Sequence, residues 1–243
     1  MNARELDALR VAYNKEHPHE KHIKKGPNIW EEIGNRLKEA CKTTTPECIV
    51  RNLISKPAAP MSWKVNDNEW LSSDDVDTVQ KAYMKLIPDY YYVASVPIDF
   101  DTHSETGKCL VSALCSIKLT DLYKKKYRRV GIIFNTDVSS GPGEHWISAF
   151  CDFRDELEYP QMTYFDSYAQ EPEEEIKRLM NRWAGQIPGM KLRYNKIRHQ
   201  YKNAQCGMYC LYFLHCSLFD IPMEKVVPDD VVAMMRPMFF KLA

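Results

Sequence analysis

The stretch CGMYCLYFLHCSLF, residues 206–219, carries apolar residues almost all round a helical projection. A helix without a polar face has to be buried, so this stretch predicts a helix at the centre of the molecule. A helix N-terminus stabilises the thiolate form of a cysteine, which is the form that attacks a carbonyl group. Cys206 begins this helix and Gly207 leaves its approach open, so Cys206 is a candidate nucleophile. Cys210 and Cys216 lie deeper in the helix and are expected to be inert core residues.

Helical and strand patterns precede this helix in blocks. WLSSDDVDTVQKAYMKLI, residues 70–87, predicts a helix capped by Ser72 or Ser73, with acidic residues in its first turn. YYYVASVPIDF, residues 90–100, predicts a strand. Another helix is predicted over about residues 109–127, before the apolar run VGIIF. Helices, then strands, then a buried helix together predict an α+β layer fold.

A predicted hairpin brings a histidine and an aspartate together. WISAFCDF, residues 146–153, and MTYFDSY, residues 162–168, alternate like strands and are joined by a short connection. His145 stands directly before the first strand, and Asp166 returns beside it near the end of the second. Asp152 lies roughly 20 Å along an extended strand, so it cannot reach the imidazole. A thiol nucleophile needs a base and a group that orients it, and His145 and Asp166 fit those roles.

The remaining requirement for acyl transfer is an oxyanion hole. The backbone N–H of the nucleophile and one side-chain amide are sufficient donors. Gln200 lies six residues before Cys206 and is the first candidate, and Gln205 is its rival because it adjoins the nucleophile. His199 is a rival for the role of base and ranks below His145.

Bulk properties limit the organisation of the chain. Its 243 residues suit one catalytic domain with a small appendage, and the proline-rich SKPAAP at 55–60 predicts a linker. We therefore expect a helical N-terminal arm over residues 1–60 and a catalytic domain over residues 61–243. The sequence has neither an apolar signal region nor a stretch of about 18 apolar residues, which predicts no membrane segment. Without a signal region, its eight cysteines are expected to be free thiols.

Two other signals are weaker. Lys and Arg together equal Asp and Glu, at 33 each, so the net charge gives no general attraction to nucleic acid. The basic run at 124–129 could bind nucleic acid, but it fits a solvated helix end better. The spacing of His17, His19 and His22 with Cys41 and Cys48 matches no common zinc site, and we expect neither a metal nor a cofactor.

The order His145-Trp146, Asp166-Ser167 and Gln200 to Cys206 resembles the ubiquitin-like-protein-specific proteases and the adenovirus-type cysteine proteases. The segments VPIDFD, GIIFN, YFDSY and MMRPMFF are similar to the polyprotein, or capsid maturation, proteases of large cytoplasmic DNA viruses, the group that includes African swine fever virus. SUMO proteases place an aspartate three residues after the tryptophan of their WLxD motif, where this chain has a serine, and that departure favours the viral branch.

The resemblance implies a fold, a reaction and a substrate. It implies a central, mostly antiparallel sheet flanked by helices, and cleavage after Gly-Gly threaded between two tryptophans, which Trp70 and Trp146 match. The alternative is that both indoles simply belong to the core. The implied function is maturation of viral structural polyproteins in the host cytoplasm, at the viral factory, and in the virion. The other reading of the same motifs is an isopeptidase that removes ubiquitin or a ubiquitin-like modifier.

Overall fold

A five-stranded sheet forms the framework of the chain in a computed structural model that describes residues 1–66 and 68–242. The strands are β1 (Tyr90–Pro97), β2 (Arg129–Asn135), β3 (Trp146–Asp152), β4 (Gln161–Phe165) and β5 (Lys191–Tyr194). They lie side by side in chain order. The two central pairs are antiparallel, and the outer pairs β1–β2 and β4–β5 are parallel. The predicted α+β architecture and the antiparallel centre of the sheet are thus observed.

Helices cover both faces of this sheet. They are α1 (Ala3–Glu16), α2 (Ile29–Arg36), α3 (Pro46–Leu53), α4 (Ser73–Leu86), α5 (Ser112–Ser116), α6 (Leu119–Lys124), α7 (Glu174–Ala184), α8 (Cys206–Leu218), α9 (Asp229–Ala233) and α10 (Arg236–Phe239), with a short 3₁₀ helix at Met61–Lys64. Alternate side chains of β3 point to opposite faces, so Trp146 and Phe150 join the core around α4 and α8, whereas Ile147 and Ala149 join the core around α7. Burial on both faces explains why the central strands β2 and β3 are almost continuously apolar.

The predicted central helix is α8, which packs against β3 and α4. Every residue of α8 except Tyr212 and Ser217 is buried, as its uniformly apolar sequence requires. The predicted α4 begins after Ser72, whose hydroxyl accepts a hydrogen bond from the Asp75 N–H while the Asp75 carboxylate accepts one from the Ser72 N–H. This capping box fixes where α4 starts and therefore where the preceding segment lies.

The helix predicted over 109–127 is wrong as a single element. The chain forms α5 and α6 instead, because Ile117 between them adopts an extended conformation with φ −61° and ψ 126°. The Leu119 N–H at the start of α6 donates to the side-chain oxygen of Gln186, an acceptor from a distant segment. Strand β5 was absent from the predicted elements. Its sequence, Lys-Leu-Arg-Tyr, has no buried face, so neither hydrophobic periodicity nor burial marks it as a strand.

The expectation of free thiols throughout is wrong for four of the eight cysteines. Cys41 is disulfide-bonded to Cys48, and Cys109 is disulfide-bonded to Cys115. The free cysteines are Cys151, Cys206, Cys210 and Cys216. Each disulfide joins cysteines that are only six or seven residues apart in the chain. The expectation of free thiols rests on the lack of a signal region, which gives no information about pairing between such close cysteines. Among the described residues no group of three or more His, Cys, Asp or Glu side chains could hold a metal ion.

Before residue 60 the chain forms helices α1, α2 and α3, which pack on the rest of the chain. Helix α1 contacts α2, α3 and α4. Ile49 and Leu53 of α3 are buried in the same core as α8. The Glu47 carboxylate lies 3.3 Å from Nε2 of His215, a buried residue of α8. The boundary near residue 60 stays a prediction. No helix in the described part of the chain has the length and apolar character needed to cross a membrane.

Candidate active site

The candidate nucleophile lies where the sequence predicts it. Cys206 is the first residue of α8, and only 3% of its surface is exposed. Gly207 follows because there is no room for a side chain. A Cβ atom built on it would lie 3.0 Å from the Leu71 Cβ atom. The start of α8 is thus packed directly against the segment that leads into α4.

The hairpin brings His145 and Asp166 together at the same end of the sheet. Ser148 pairs with Phe165 in the β3–β4 register, so the residues just before β3 and just after β4 are neighbours. Nε2 of His145 lies 2.7 Å from Oδ1 of Asp166. Asp152 is at the other end of β3, where it forms a salt bridge with Arg154. The geometric choice of Asp166 over Asp152 therefore agrees with the structure.

The imidazole of His145 also interacts with the thiol. Burial of His145 lowers its pKa, but side-chain hydrogen bonds to Asp166 and to Cys206, together with their charges, raise the pKa to about 9. Only 16% of the His145 side chain is exposed, so these interactions act with little screening by solvent. Since Nε2 faces the carboxylate, Nδ1 is the nitrogen left to serve the sulfur. The three groups form one connected array, with the imidazole between sulfur and carboxylate.

Three hydrogen-bond donors hold the Asp166 carboxylate in place. Its oxygens accept hydrogen bonds from the backbone N–H groups of Tyr168 and Gln170 as well as from His145. Asn195 holds the backbone of Asp166, because its side-chain oxygen accepts from the Asp166 N–H at 2.9 Å and its amide donates to the Asp166 carbonyl at 2.7 Å. Sequence reasoning missed Asn195, since its position depends on the unpredicted pairing of β5 with β4.

Tyr168 is a second residue that sequence reasoning did not assign to the site. Its ring stacks on the His145 imidazole with centroids 4.7 Å apart. The stack limits rotation of the imidazole and covers one of its faces. Tyr168 is part of the segment YFDSY, which carries the family resemblance but does not by itself indicate a contact with His145.

Both candidate oxyanion donors, Gln200 and Gln205, are buried. The Gln200 side-chain oxygen accepts a hydrogen bond from the Ser167 hydroxyl at 2.6 Å, and its amide nitrogen donates to the Lys202 carbonyl at 2.6 Å. An amide nitrogen carries two hydrogens, so a second donor remains. The Gln205 amide donates to the side-chain oxygen of Asn68 at 3.0 Å. The motif places Gln200 first, and the geometry leaves both residues as candidates.

The two tryptophans differ in their surroundings. Trp146 is buried, and its indole N–H donates to the Leu71 carbonyl at 2.8 Å. This bond ties the segment before α4 to the start of β3, beside His145. Trp70, the neighbour of Leu71, is 47% exposed and therefore accessible to a bound chain. Trp146 agrees with the alternative that the indoles belong to the core, and Trp70 does not.

The rival residues are engaged elsewhere. His199 is fully buried, its ring nitrogen Nδ1 accepts a hydrogen bond from the Val227 N–H, and burial lowers its pKa. Burial raises the pKa of the Cys216 thiol to about 11 and that of the Cys210 thiol well above its ordinary value. These two cysteines are therefore protonated at neutral pH and poor nucleophiles. His215 is a core residue with its hydrogen-bonding capacity used, since its Nδ1 lies 2.8 Å from the Tyr83 hydroxyl.

Comparison with known proteins places this geometry in context. No protein-family model matches the sequence. A protein of Acanthamoeba polyphaga mimivirus that bears the name thiol protease R355 is 28% identical over 169 residues, which is 67% of this chain and 52% of that protein. Cysteine protease S273R of African swine fever virus is 28% identical over 129 residues, which is 49% of this chain and 46% of that protein. The chain spans about half the length of the curated relatives it matches.

Solved structures extend the likeness to the fold. The crystal structure of the African swine fever virus pS273R protease matches with a TM-score of 0.66 at 17% identity, covering 96% of this chain and 88% of that one. A structure of the SUMO protease Ulp1 matches with a TM-score of 0.51 at 14% identity, covering 86% of this chain and 92% of that one. The predicted resemblance is confirmed, because the chain is related in sequence to viral thiol proteases and has the fold of the African swine fever virus protease and of Ulp1.

Proposed function

We propose that this chain is a cysteine endopeptidase that cleaves after Gly-Gly and matures viral structural polyproteins during virion assembly. The observation that carries the proposal is the connected array of Cys206, His145 and Asp166 where α8, β3 and β4 meet. The names of the viral relatives, which are thiol and cysteine proteases, support the class of reaction.

The first half of the reaction forms a thioester. The Cys206 sulfur, as the thiolate, attacks the scissile carbonyl carbon, and the carbonyl oxygen becomes an oxyanion. The Cys206 backbone N–H, free at the start of α8, and the Gln200 amide donate to that oxygen. The His145 imidazolium gives its proton to the leaving amine as the carbon–nitrogen bond breaks. Asp166 keeps the ring in position and stabilises its positive charge.

The second half releases the acyl group. His145, now neutral, takes a proton from water, and the resulting hydroxide attacks the thioester carbonyl. The carbon–sulfur bond then breaks, and the thiolate is restored beside the protonated imidazole. No group other than water and these side chains is required.

The proposed specificity rests on the residues beside Cys206. Trp70 is half-exposed, Trp146 is fixed through Leu71, and Leu71 itself packs on Gly207. A chain that reaches Cys206 past two indoles needs residues without a Cβ atom, and Gly-Gly meets that requirement. Adding a methyl group to such a slot costs about 1–3 kcal/mol, which corresponds to roughly 5- to 150-fold in rate.

The alternative function is an isopeptidase that removes ubiquitin or a ubiquitin-like modifier. It has a specific observation in its favour, since one African swine fever virus relative is named SUMO-1 cysteine protease S273R and Ulp1 shares the fold. It uses the same catalytic groups and differs only in the surface that binds the substrate. In either case the proposed partner is a protein substrate, and we place the endopeptidase in the host cytoplasm, at the viral factory, and in the virion.

Peptide and protein substrates distinguish these functions. We expect a peptide with Gly-Gly before the scissile bond to be cut, and Gly→Ala at either position to lower kcat/KM at least about tenfold. Ubiquitin- and SUMO-fused substrates should be no better than the peptide. A ubiquitin or SUMO fusion that is cut far faster than any peptide would establish the isopeptidase instead. Equal rates for the Gly and Ala peptides would show that no slot selects glycine.

Matched cysteine variants test the nucleophile in the same assay. Cys206→Ala should abolish turnover, whereas Cys210→Ala should retain it, because Cys210 is a buried, protonated thiol. Iodoacetamide labelling with peptide mapping should modify Cys206 as activity is lost. Loss of activity with Cys206 unlabelled would contradict the assignment.

A further inference from the structure

The segment between α7 and α8 has a charge pattern that the catalytic array does not use. No Asp or Glu occurs from residue 176 to residue 219. Within that span, five cationic residues fall in the twelve positions 191–202 of a chain that is otherwise balanced in charge. A local excess of this kind attracts anionic ligands even when the net charge is zero.

The structure places this segment at an open edge of the sheet. Strand β5 is the last strand and pairs only with β4 among the described residues. The N–H groups of Lys191 and Asn195 donate to the β4 side, at Pro160 and Tyr164. The N–H groups between them alternate in direction, so those of Leu192 and Tyr194 face away from the sheet. An edge of this kind can hydrogen-bond an extended peptide as an added strand.

The cations on this edge are exposed and held by aromatic rings rather than by carboxylates. Lys191 and Arg193 both lie over the Tyr159 ring, and the Arg193 guanidinium donates to the Tyr159 hydroxyl. Lys196 lies near the Tyr194 ring. Within residues 1–66 and 68–242, none of Lys191, Arg193 and Lys196 forms a salt bridge, whereas Lys202 pairs with Asp230. Glu171 accepts a hydrogen bond from the Tyr194 hydroxyl, and Asp230 pairs with Lys202. The Asp229 carboxylate accepts from the backbone N–H groups of Tyr201 and Lys202.

The edge leads directly to the candidate general base. The Arg198 guanidinium lies 5.4 Å from the centroid of the Tyr168 ring, which stacks on His145. In the proposed reaction His145 protonates the leaving amine, so the chain after the scissile bond departs on the imidazole side. Trp70 adjoins Leu71 in the chain, the indole N–H of Trp146 donates to the Leu71 carbonyl, and Leu71 packs on Gly207. Through Arg198 and Tyr168 the basic edge adjoins the imidazole side, where the chain that follows the cut departs in the proposed reaction.

We propose that the basic edge, defined as Lys191, Arg193, Lys196 and Arg198 on and after β5, binds an acidic, extended segment of the substrate polypeptide downstream of the scissile bond. The inference rests on the proposed endopeptidase function and names a feature of its substrate. Lys191 and Arg193 are two residues apart and project from the same face of β5. The matching ligand has acidic residues at alternate positions, because an added strand has the same period.

A peptide fits this surface better than a nucleic acid does. The outward N–H and C=O groups of a strand edge are both satisfied by another strand, whereas the phosphate groups of a nucleic acid offer acceptors only. The aromatic rings are also occupied by the side chains of the segment, as Tyr159 is by Lys191 at 3.5 Å, so they do not present free faces for base stacking.

Charge-matched peptides test the proposal. Three Gly-Gly substrates are compared that differ downstream of the cut only in an Asp-Ser-Asp, Ser-Ser-Ser or Lys-Ser-Lys segment. At low salt we expect the acidic peptide to exceed the neutral one in kcat/KM by about tenfold, since two exposed ion pairs together give roughly 2- to 30-fold. The preference should vanish near 1 M salt, where the Debye length falls to about 3 Å.

A charge-reversed enzyme supplies the matched variant. In the double variant Lys191→Glu with Arg193→Glu, the ratio of kcat/KM for the acidic peptide over the basic peptide should invert. The control, Lys124→Glu with Lys125→Glu in the exposed basic run at the end of α6, makes the same change in charge elsewhere and should leave the ratio as in the unaltered chain. Inversion in both variants would mean that net charge, and not this edge, sets the preference.

Binding measured without turnover separates this proposal from the proposed function. Fluorescence anisotropy of the acidic peptide on the Cys206→Ala chain should show binding that the neutral peptide lacks. If no Gly-Gly peptide is cut but the acidic peptide binds the edge, the endopeptidase proposal fails and the binding site stands. If Gly-Gly peptides are cut with no acidic preference, the site is overturned. It is also overturned if a single-stranded oligonucleotide binds at Lys191 and Arg193 and the acidic peptide does not.

Discussion

At the scale of single residues, the pKa of the His145 imidazole reflects the electrostatics of the site. Its neighbours outweigh burial and raise its pKa from an ordinary 6.5 to about 9. The protonated ring is therefore the main form at neutral pH, and it is the form that can give a proton to a leaving amine. Because the folded-state pKa lies above the unfolded one, the interaction stabilises the fold fully below about pH 6.5, and this contribution is lost as pH rises through about 9.

The first prediction concerns the pH dependence of activity. Activity should fall on the alkaline side with an apparent pKa near 9, as the imidazolium that protonates the leaving amine is lost. Asp166→Asn keeps the shape but removes the charge that helps to raise this pKa, so the alkaline limb should move to lower pH. The pH profile of kcat/KM for the Gly-Gly peptide measures both the apparent pKa of the alkaline limb and its displacement in Asp166→Asn. An unmoved alkaline limb in Asp166→Asn would show that Asp166 does not act on the imidazole.

The second prediction decides between the two glutamines. Loss of one oxyanion donor typically lowers kcat by about 10²–10³, so Gln200→Ala should fall in that range. Gln205→Ala removes the bond to Asn68 and should cost less, since that bond lies outside the reacting atoms. Single-turnover rates on the Gly-Gly peptide make the comparison, with Gln186→Ala as a control remote from the site. A normal rate for Gln200→Ala with a crippled Gln205→Ala would transfer the role.

At the scale of elements, the contact between α8 and the segment before α4 couples the nucleophile to the proposed slot. Gly207 touches Leu71, the Leu71 carbonyl accepts from Trp146, and Trp70 is the adjacent residue. The capping box at Ser72 then fixes the start of α4. A displacement at any of these points moves the candidate substrate wall relative to the sulfur of Cys206.

The third prediction uses this contact. Gly207→Ala places a methyl group 3.0 Å from the Leu71 Cβ atom, so Leu71 and Trp70 must shift. Overpacking of this kind costs about 1–3 kcal/mol, or roughly 2–10 °C in Tm for a chain of this size. We expect kcat/KM for the Gly-Gly peptide to fall along with Tm. Gly26→Ala is the matched control, because nothing lies within 4 Å of its added Cβ atom. Equal effects of the two changes would exclude the coupling.

At the scale of the whole molecule, the arm and the catalytic region share one core. Leu9 and Tyr13 of α1 and Ile49 of α3 are buried in the cluster that includes α8 and α4. The Glu47 carboxylate bonds to His215, which lowers the pKa of Glu47 although burial opposes the shift. His215 is nine residues after Cys206 in the same helix, so the arm is connected physically to the helix that carries the nucleophile.

The fourth prediction tests the boundary near residue 60. A chain that begins at residue 61 should lose about 10 °C or more in Tm, since each buried aliphatic side chain at the arm interface contributes about 1.5–3 kcal/mol. Thermal unfolding followed by circular dichroism measures the loss, and Glu47→Gln serves as a milder variant that removes the negative charge facing His215 and Arg51. An unchanged Tm with weaker substrate binding would instead support an independent arm that docks substrate. An insoluble product would make the arm part of the core.

Local chemistry explains what the sequence by itself determined. The apolar stretch at 206–219 can be satisfied only in an interior, so α8 and the position of Cys206 at its start follow from composition. The His145–Asp166 contact follows from the two-residue period of strands and the length of one hairpin connection. The family resemblance follows from the same residues. Each of these inferences depends on residues that are close together in the chain, or on the periodicity of one segment.

Only the tertiary structure decided the features that depend on distant segments. Strand β5 has no buried face and exists because β4 offers it hydrogen bonds, and Asn195 holds Asp166 only because of that pairing. At the break between α5 and α6, the Leu119 N–H donates to the distant Gln186 side chain, and Glu47 contacts His215. Both contacts join residues far apart in the chain. Periodicity reports which residues are buried but not which segment buries them. The surroundings of the candidate catalytic groups therefore could not be predicted from the sequence, although the His145–Asp166 contact and the position of Cys206 at the start of α8 could.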